Sequence, residues 1–182
     1  MNNFSELITQ RRSIRKFTTE PLRAEEVEPI LKAGLKSPSS KNAKPWHFIA
    51  IEDKALLDQL ALCKKMGAKP IANCSLAIVV AADPFTSSVW VEDGSIASIM
   101  MQLQAEDLGL GSCWIQIRER YTASDTSSEE YVKDLLDIPM QLQVLSIIVF
   151  GHKDQEKLHH DDEKLEWEKV HIGKFKINEI QK

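Results

Sequence analysis

The chain has 182 residues, of which 43% are hydrophobic and 27% are charged, and its net charge is -4. This length suits one domain with a sizeable core, which we assign to residues 1–182, and the proportions are those of a soluble globular protein. The acidic balance argues against a nucleic-acid binder, and no apolar stretch is long enough to span a membrane, so we expect neither partner.

The predicted elements alternate between helices and strands. Asn3 and Glu6 have the spacing of a capping box that begins a short helix, and a second capping box starts at Ser127 ahead of another helix. Further helices are predicted at residues 23–36, 56–63 and 89–108, and strands at residues 47–51, 76–82, 112–117 and 144–150. Helices alternating with about four strands indicate an α/β or α+β class.

Two of these helices carry informative residues. Pro29 lies inside the helix predicted at 23–36 and suggests that the helix proper begins near it. The longest helix has an apolar stripe of Ile96, Ile99, Met100, Leu103 and Leu108. It ends at Gly-Leu-Gly, residues 109–111, which reads as a helix stop. Those glycines precede a strand and lack the third glycine of the dinucleotide fingerprint, so we reject a Rossmann fold.

A basic segment at residues 10–17, Gln-Arg-Arg-Ser-Ile-Arg-Lys-Phe, follows the first predicted helix. Because side chains of an extended chain alternate between two faces, Arg11, Ser13 and Arg15 would share one face. The opposite face would carry Arg12, Ile14 and Lys16. Two guanidinium groups beside a hydroxyl suit a phosphate, and a solvated basic patch is the alternative interpretation.

Two further segments stand out. Residues 37–46, Ser-Pro-Ser-Ser-Lys-Asn-Ala-Lys-Pro-Trp, predict a loop rich in hydroxyl, amide and main-chain donors. Residues 153–182 are too polar for a core element and too apolar for a disordered tail, so we expect them to lie on a surface of this chain or of a partner.

Cysteine usage and the lack of a nucleophile limit the chemistry. Cys63, Cys74 and Cys113 are far apart and form no C-x-x-C pair, which indicates buried or incidental thiols in a reducing compartment. We therefore expect a cytoplasmic location, and neither disulfides nor a metal site. The run His-His-Asp-Asp at 159–162 is interpreted as solvated surface. No spacing nominates a nucleophile or a general base, so an enzyme of this kind would depend on a cofactor.

Four segments in this order and spacing resemble the nitroreductase family of FMN-dependent flavoenzymes, from Phe4 to about Lys153. They are residues 11–17, residues 33–46, the helix that contains Asp93 and leads into residues 108–115, and residues 149–152. The resemblance implies an α+β fold with a central mixed or antiparallel sheet flanked by helices. It also implies a homodimer with two FMN sites at the subunit interface, in which the C-terminal segment 153–182 packs on the partner.

The resemblance further implies which residues bind FMN, and it implies no catalytic side chain. Arg11, Ser13 and Arg15 match residues that hold the phosphate, the ribityl chain and the N1/O2 edge of the ring. Arg12 belongs to the same candidate segment, but its opposite face suggests a structural role. A loop that reaches the flavin of the other subunit is matched by Pro38, Ser39, Ser40 and Asn42. The segment whose main-chain N–H groups lie near N5 is matched by Gln116 and Ile117. A second contact to the phosphate is matched by Gly151 together with Lys153 or Lys169.

The implied activity is ping-pong transfer of a hydride from NADH or NADPH to flavin N5 and then of electrons to an acceptor in the same cleft. The acceptor would be a small molecule such as a nitroaromatic, a quinone or free flavin. Many members have a glycine where this chain has Gln116, Ile117 and Arg118, and that bulk leaves a non-catalytic flavin carrier or sensor as the alternative. The polar residue that many members supply between Lys64 and Pro70 is not assigned.

Overall fold

A computed structural model of the chain describes residues 3–175, in which helices cover both faces of a four-stranded sheet. The helices are α1 (Phe4–Gln10), α2 (Ala24–Leu35), α3 (Lys54–Leu60), α4 (Lys69–Ala72), α5 (Trp90–Asp107) and α6 (Ser128–Leu135). The strands are β1 (Trp46–Ile51), β2 (Leu76–Ala82), β3 (Gly111–Gln116) and β4 (Gln143–Gly151). Single 3₁₀ turns occur at Ser40–Asn42, Asp162–Lys164 and Trp167–Lys169.

The sheet is antiparallel throughout and has the strand order β1-β2-β4-β3. Every residue of β2 is buried, and Gln143 is the one residue of β4 that is partly exposed. These central strands are continuous aliphatic runs because helices cover both of their faces. The prediction of an α+β fold with a central antiparallel sheet flanked by helices is confirmed.

Different helices cover the two faces of the sheet. On one face, Ile30 of α2 and Met101 of α5 are fully buried in a cluster with Ile78 and Ile148. The cluster on the other face includes Leu57 and Leu60 of α3, Ile71 of α4 and Val132 of α6. Full burial of one such side chain contributes about 1.5–3 kcal/mol relative to exposure, so both layers hold the sheet.

Helix α5 buries a different face from the one that its apolar residues suggest. The residues that it buries are mostly small or polar and follow helical spacing: Asp93, Gly94, Ala97, Ser98, Met101, Gln102, Ala105 and Glu106. Small side chains let the helix approach the sheet closely, and a Cβ on Gly94 would lie 2.8 Å from Leu145 Cδ2. The apolar stripe points outward instead, since Ile96, Ile99 and Met100 are 39%, 38% and 38% exposed.

Local sequence signals predict where most elements begin and end. The exceptions are the start of α2 and the presence of α4. The capping box of Asn3 forms, and the Ser127 side chain accepts from the Glu130 N–H at the start of α6. Helix α2 begins at Ala24 and contains Pro29, so the predicted start near Pro29 is wrong. The one-turn helix α4 is not predicted from the sequence, because four residues are too few to show a period.

Residues 11–17, which we call the basic arm, extend the sheet beyond β3. Ser13 forms a parallel bridge with Ser112, and the Ile14 N–H donates to the Ser112 carbonyl at 2.9 Å. Ile14 and Phe17 anchor the arm in the core and are 3% and 7% exposed. The arm is therefore held by main-chain pairing at two points, Ser13 with Ser112 and Phe17 with Lys153, and by two buried side chains.

The C-terminal segment has little regular structure within the described residues, and residues 176–182 of the predicted extension lie outside them. The His160 N–H donates to the Thr9 carbonyl at 2.9 Å, and the Arg12 guanidinium donates to the Leu158 carbonyl. Most of the segment's large apolar side chains are well exposed, among them Trp167, Ile172 and Phe175. Its packing on a partner stays a prediction. No helix in the described part of the chain is both long and apolar enough to cross a membrane.

We expect Gly111→Ala to destabilise the protein by about 1–3 kcal/mol, the usual range for overpacking. A Cβ at this position would lie 2.7 Å from Ile14 Cγ2 and 2.9 Å from Ile14 Cβ, so the basic arm has to move. Denaturant unfolding of the parent and the variant measures the difference. In an Ile14→Ala background the same glycine substitution should lose less stability, because Cγ2 is gone. Equal losses in both backgrounds would contradict this account.

Candidate functional site

The basic arm presents its two faces to different surroundings. Arg11, Ser13 and Arg15 lie together near Cys113 of β3, where both arginine charges and the Ser13 side chain act on the thiol. Arg12 points away from them and donates to the C-terminal segment. This is the alternation that the sequence predicts for an extended chain.

β3 is an edge strand, and the basic arm covers only its beginning. The Ser112 carbonyl points to the arm, and main-chain direction repeats at every second residue of a strand. The main-chain groups of Trp114 and Gln116 therefore point to the same edge beyond the arm. Lys64 agrees with this orientation, because its amino group lies 3.4 Å from the Gln116 carbonyl oxygen. We call this stretch the open edge of β3.

Four positive charges border the open edge. Arg11 and Arg15 lie near Cys113, and Lys64 lies at Gln116 with Arg120 near it. Burial lowers the pKa of Lys64, and the charge of Arg120 lowers it further. Within residues 3–175, no ion pair with a carboxylate neutralises any of the four. Such a donor set fits a ligand that brings its own negative charge, such as the phosphate of FMN.

Lys64 is the functional candidate that the sequence leaves unassigned. It begins the connection after α3 and reaches a residue 52 positions away in the sequence, a contact that depends on tertiary packing. The sequence offers one signal, a cation directly after Cys63 at the end of an apolar stretch. In the structure Cys63 is fully buried. Lys64 is therefore the polar residue of this connection that faces β3.

Residues 116–118 lie at the end of the open edge, and their main-chain groups point in different directions. The Gln116 amide accepts from Trp114 Nε1 at 2.9 Å and donates to the Arg118 carbonyl at 3.0 Å, which fixes its side chain. The Ile117 N–H donates to the Leu145 carbonyl at 3.2 Å, and the Ile117 side chain is fully buried. That N–H therefore has a partner in β4 in this chain, and its predicted approach to a flavin stays a prediction. Gln116 keeps main-chain groups at the open edge.

The loop that the sequence predicts to be rich in hydrogen-bond donors lies at the other side of the sheet, and we call its residues 38–44 the donor loop. Pro38, Ser39, Ser40 and Asn42 precede β1, which is the edge strand opposite β3. Three strand spacings of about 4.8 Å place β1 about 14 Å from β3. One chain therefore does not bring this loop and the basic arm into a single site. The predicted role of the loop at the flavin of a second subunit is compatible with this separation and stays a prediction.

Lys153 has a partner within its own chain. Its amino group lies 2.7 Å from a carboxylate oxygen of Glu106, which is 7% exposed. With Arg12 and Ile14 it lines a separate cavity of about 770 Å³. The structure thus places Lys153 on the side of the arm that faces away from Arg11 and Arg15, and its charge is compensated. Its contact with a phosphate stays a prediction.

The other two C-terminal candidates are also apart from the open edge. Gly151 packs under the basic arm, and a Cβ there would lie 2.9 Å from Phe17 Cδ1, which explains why a glycine is needed. Lys169 is exposed in the C-terminal segment and forms an ion pair with Glu166. Neither residue joins Arg11, Ser13 and Arg15 in this chain, and their phosphate roles stay predictions.

Comparison with known proteins agrees with the family resemblance that the four sequence segments indicate. The model of the nitroreductase family matches residues 8–152. The chain belongs to the nitroreductase family. A relative from Archaeoglobus fulgidus is 33% identical over 180 residues, which cover 96% of this chain and 100% of the relative. The family predicted from the sequence is confirmed.

Other nitroreductase-family proteins extend the comparison to structure and to named activities. A solved structure of an FMN-dependent nitroreductase from Clostridium difficile R20291 is 42% identical, with a TM-score of 0.91 over 93% of this chain and 98% of that chain. The NADPH-flavin oxidoreductase of Vibrio harveyi is 29% identical over 85% of this chain and 68% of its own length. The chain has the fold of this family.

The thiols of this nitroreductase-family chain are shielded. Burial raises the pKa of Cys113 even though Arg11 and Arg15 act against it. Burial also raises the pKa values of Cys63 and Cys74 to about 12. A thiol whose pKa lies far above the ambient pH keeps its proton, and the thiolate is the reactive form. Cys113 is buried beside the open edge, and the direction of its pKa shift favours the neutral thiol there.

We expect none of the three cysteines to react appreciably with iodoacetamide in the folded protein at about pH 8, because burial keeps the thiols protonated and out of contact with the reagent. Mass spectrometry of the labelled protein counts the modified residues. Protein unfolded in guanidinium serves as the control and should be modified at all three positions. Labelling of Cys113 in the folded state at the rate of an exposed cysteine would show that this thiol is available for chemistry.

Proposed function

We propose that this chain is an FMN-dependent oxidoreductase that takes electrons from NADH or NADPH and passes them to a small-molecule acceptor. The single observation that carries the proposal is the gathering of Arg11, Ser13 and Arg15 beside the open edge of β3. Within residues 3–175, neither arginine forms an ion pair with a carboxylate. The FMN-dependent nitroreductase and the NADPH-flavin oxidoreductase among its relatives support the cofactors and the class of reaction.

Arg11 and Ser13 would hold the phosphate and the adjoining ribityl chain. A guanidinium group offers paired donors to phosphate oxygens, and a charge-assisted hydrogen bond of this kind contributes about 1.5–3 kcal/mol. Ser13 is fixed by its bridge to Ser112, so its hydroxyl is positioned by the sheet itself. The shielded Cys113 beneath them offers no competing charge.

Arg15 would act on the ring. It lies two residues beyond Ser13 on the same face, and two residues of extended chain span about 7 Å. When bound, FMN supplies a ring that accepts a hydride and releases electrons to an acceptor. A fixed guanidinium group at the edge of that ring stabilises negative charge developing there and so favours reduction.

The rest of the site binds and orients. The main-chain groups of Trp114 and Gln116 at the open edge suit the polar rim of a planar ligand, and Lys64 adds a half-buried cation there. We expect no side chain to act as an obligatory general acid or base, because the cofactor would supply the redox chemistry. The acceptor would be a planar molecule such as a nitroaromatic, a quinone or free flavin.

A second copy of the chain would complete the site as a homodimer. The outward faces of α1 and α5 form an apolar surface with Phe4, Ile8, Ile96, Ile99 and Met100. Phe4 and Met100 border one cavity of about 250 Å³, so the two helices share this surface. Contiguous apolar surface on one side of a monomer marks an association site. Association there would bring the donor loop of one copy towards the basic arm of the other.

The visible spectrum of the purified protein tests the proposal. We expect two flavin absorption bands that disappear when NADH or NADPH is added without oxygen, and that return when an acceptor is added. Protein that binds flavin but stays oxidised would instead be the carrier or sensor. A colourless protein that does not take up added FMN would contradict the proposal.

Substitutions in the basic arm separate the proposed roles. Arg11→Ala should weaken FMN binding by about tenfold to a hundredfold, because it removes a charge-assisted phosphate contact. Arg15→Ala should mainly lower the rate of reduction by NADH or NADPH in protein saturated with FMN. Arg12→Ala is the matched control, since this arginine faces the C-terminal segment, and FMN binding should stay within about twofold of the parent. FMN titration and stopped-flow reduction measure both effects, and identical results for all three variants would refute the assignments.

A further inference from the structure

Asp93 is a buried carboxylate to which the proposed chemistry gives no role. It lies in the first turn of α5 and is 2% exposed. One oxygen accepts from the Ser40 N–H at 2.8 Å, and the other accepts from the Ser87 hydroxyl at 2.7 Å. Both donors lie outside α5, so Asp93 connects three separate parts of the chain.

The loop that Asp93 contacts has an unfavourable backbone conformation. Lys41, Asn42 and Lys44 have φ angles of 51°, 57° and 50°, in the left-handed region. Residues with a Cβ adopt this region rarely, and three within four positions is uncommon. Such a conformation persists only where surrounding contacts hold it.

Few contacts hold this loop. Within it, three main-chain N–H groups donate: that of Lys44 to the Ser39 hydroxyl at 2.9 Å, that of Asn42 to the Ser39 carbonyl at 3.1 Å, and that of Ala43 to the Ser40 carbonyl at 2.9 Å. In the part of the chain that the structure describes, Asp93 supplies the one side-chain hydrogen bond to the loop from outside it. Asp93 is therefore the side chain through which the rest of the described fold is hydrogen-bonded to this loop.

The surroundings favour a carboxylate at this position. The start of a helix carries partial positive charge, which stabilises a negative group in its first turn. Ser87 belongs to the turn that follows β2, and the Asp83 N–H of this turn donates to the Pro45 carbonyl at the end of the loop at 2.9 Å. Asp93 thus ties the loop to the same turn that secures its other end.

We propose that Asp93 is a positioning residue that holds the donor loop, residues 38–44, in its FMN-binding conformation before FMN arrives. The inference rests on the proposed function, in which this loop reaches the flavin of the second copy. A loop that is already ordered lets FMN bind without the entropy loss of ordering it. Asp93 therefore acts on FMN affinity through Ser40 and touches neither cofactor nor substrate.

Asp93→Asn tests the proposal with little change in size. FMN titration of the apoprotein should give a dissociation constant about tenfold to a hundredfold higher than for the parent, the range for losing a hydrogen bond to a charged group. Hydrogen exchange of the apoprotein, followed by mass spectrometry, should be faster at residues 38–44. Ser87→Ala removes one neutral donor and should shift both readouts in the same direction by less.

Glu92→Gln is the matched control, because Glu92 is an exposed acid in the same helical turn and should leave both readouts unchanged. A merely structural Asp93 would lower the melting temperature of the variant while loop exchange and FMN affinity stay within about twofold of the parent, and that result would overturn the proposal. A parent protein that binds no FMN would refute the proposed function and this inference with it. Normal binding by the parent with an unchanged Asp93→Asn variant would refute this inference alone.

Discussion

The arrangement of the site depends on how closely the basic arm packs against the first residue of β3. Gly111 leaves no room for a Cβ beneath Ile14, so the arm lies directly on the strand. Once Ile14 is inserted and Ser13 is bridged to Ser112, the extended backbone decides which cations share a face. The buried Ile14 side chain therefore determines where the positive charges of the arm lie, because Arg11 and Arg15 face Cys113 only while Ile14 stays buried.

The charges around the open edge show how binding and stability compete in this fold. Lys153 forms an ion pair with Glu106, which compensates its charge in the free protein. Arg11, Arg15 and Lys64 have no such partner among the described residues, and like charges near each other raise the energy of the free protein. An anionic ligand relieves that repulsion. This contrast between paired and unpaired cations is the physical basis for proposing that Arg11 and Arg15 bind the anionic ligand.

Local periodicity predicts much of the fold and part of the site. The period of two in residues 11–16 gives the correct faces of the arm, and aliphatic runs locate β2 and β4 correctly. The burial of α5 is not predictable from its apolar residues, because the close approach at Gly94 depends on small side chains and leaves Ile96 and Ile99 outside. The contacts of Lys64 with Gln116 and of Asp93 with Ser40 join residues more than 50 positions apart, so no local pattern contains them.

The outward apolar face of α5 has a thermodynamic consequence. Surface of this kind, at Ile96, Ile99 and Met100, is stabilised only when another molecule covers it. If a second copy covers it, the free energy of association becomes part of the free energy of folding. Dilution would then unfold the protein at a temperature at which a concentrated solution stays folded, and a single melting temperature would describe the chain only together with its concentration.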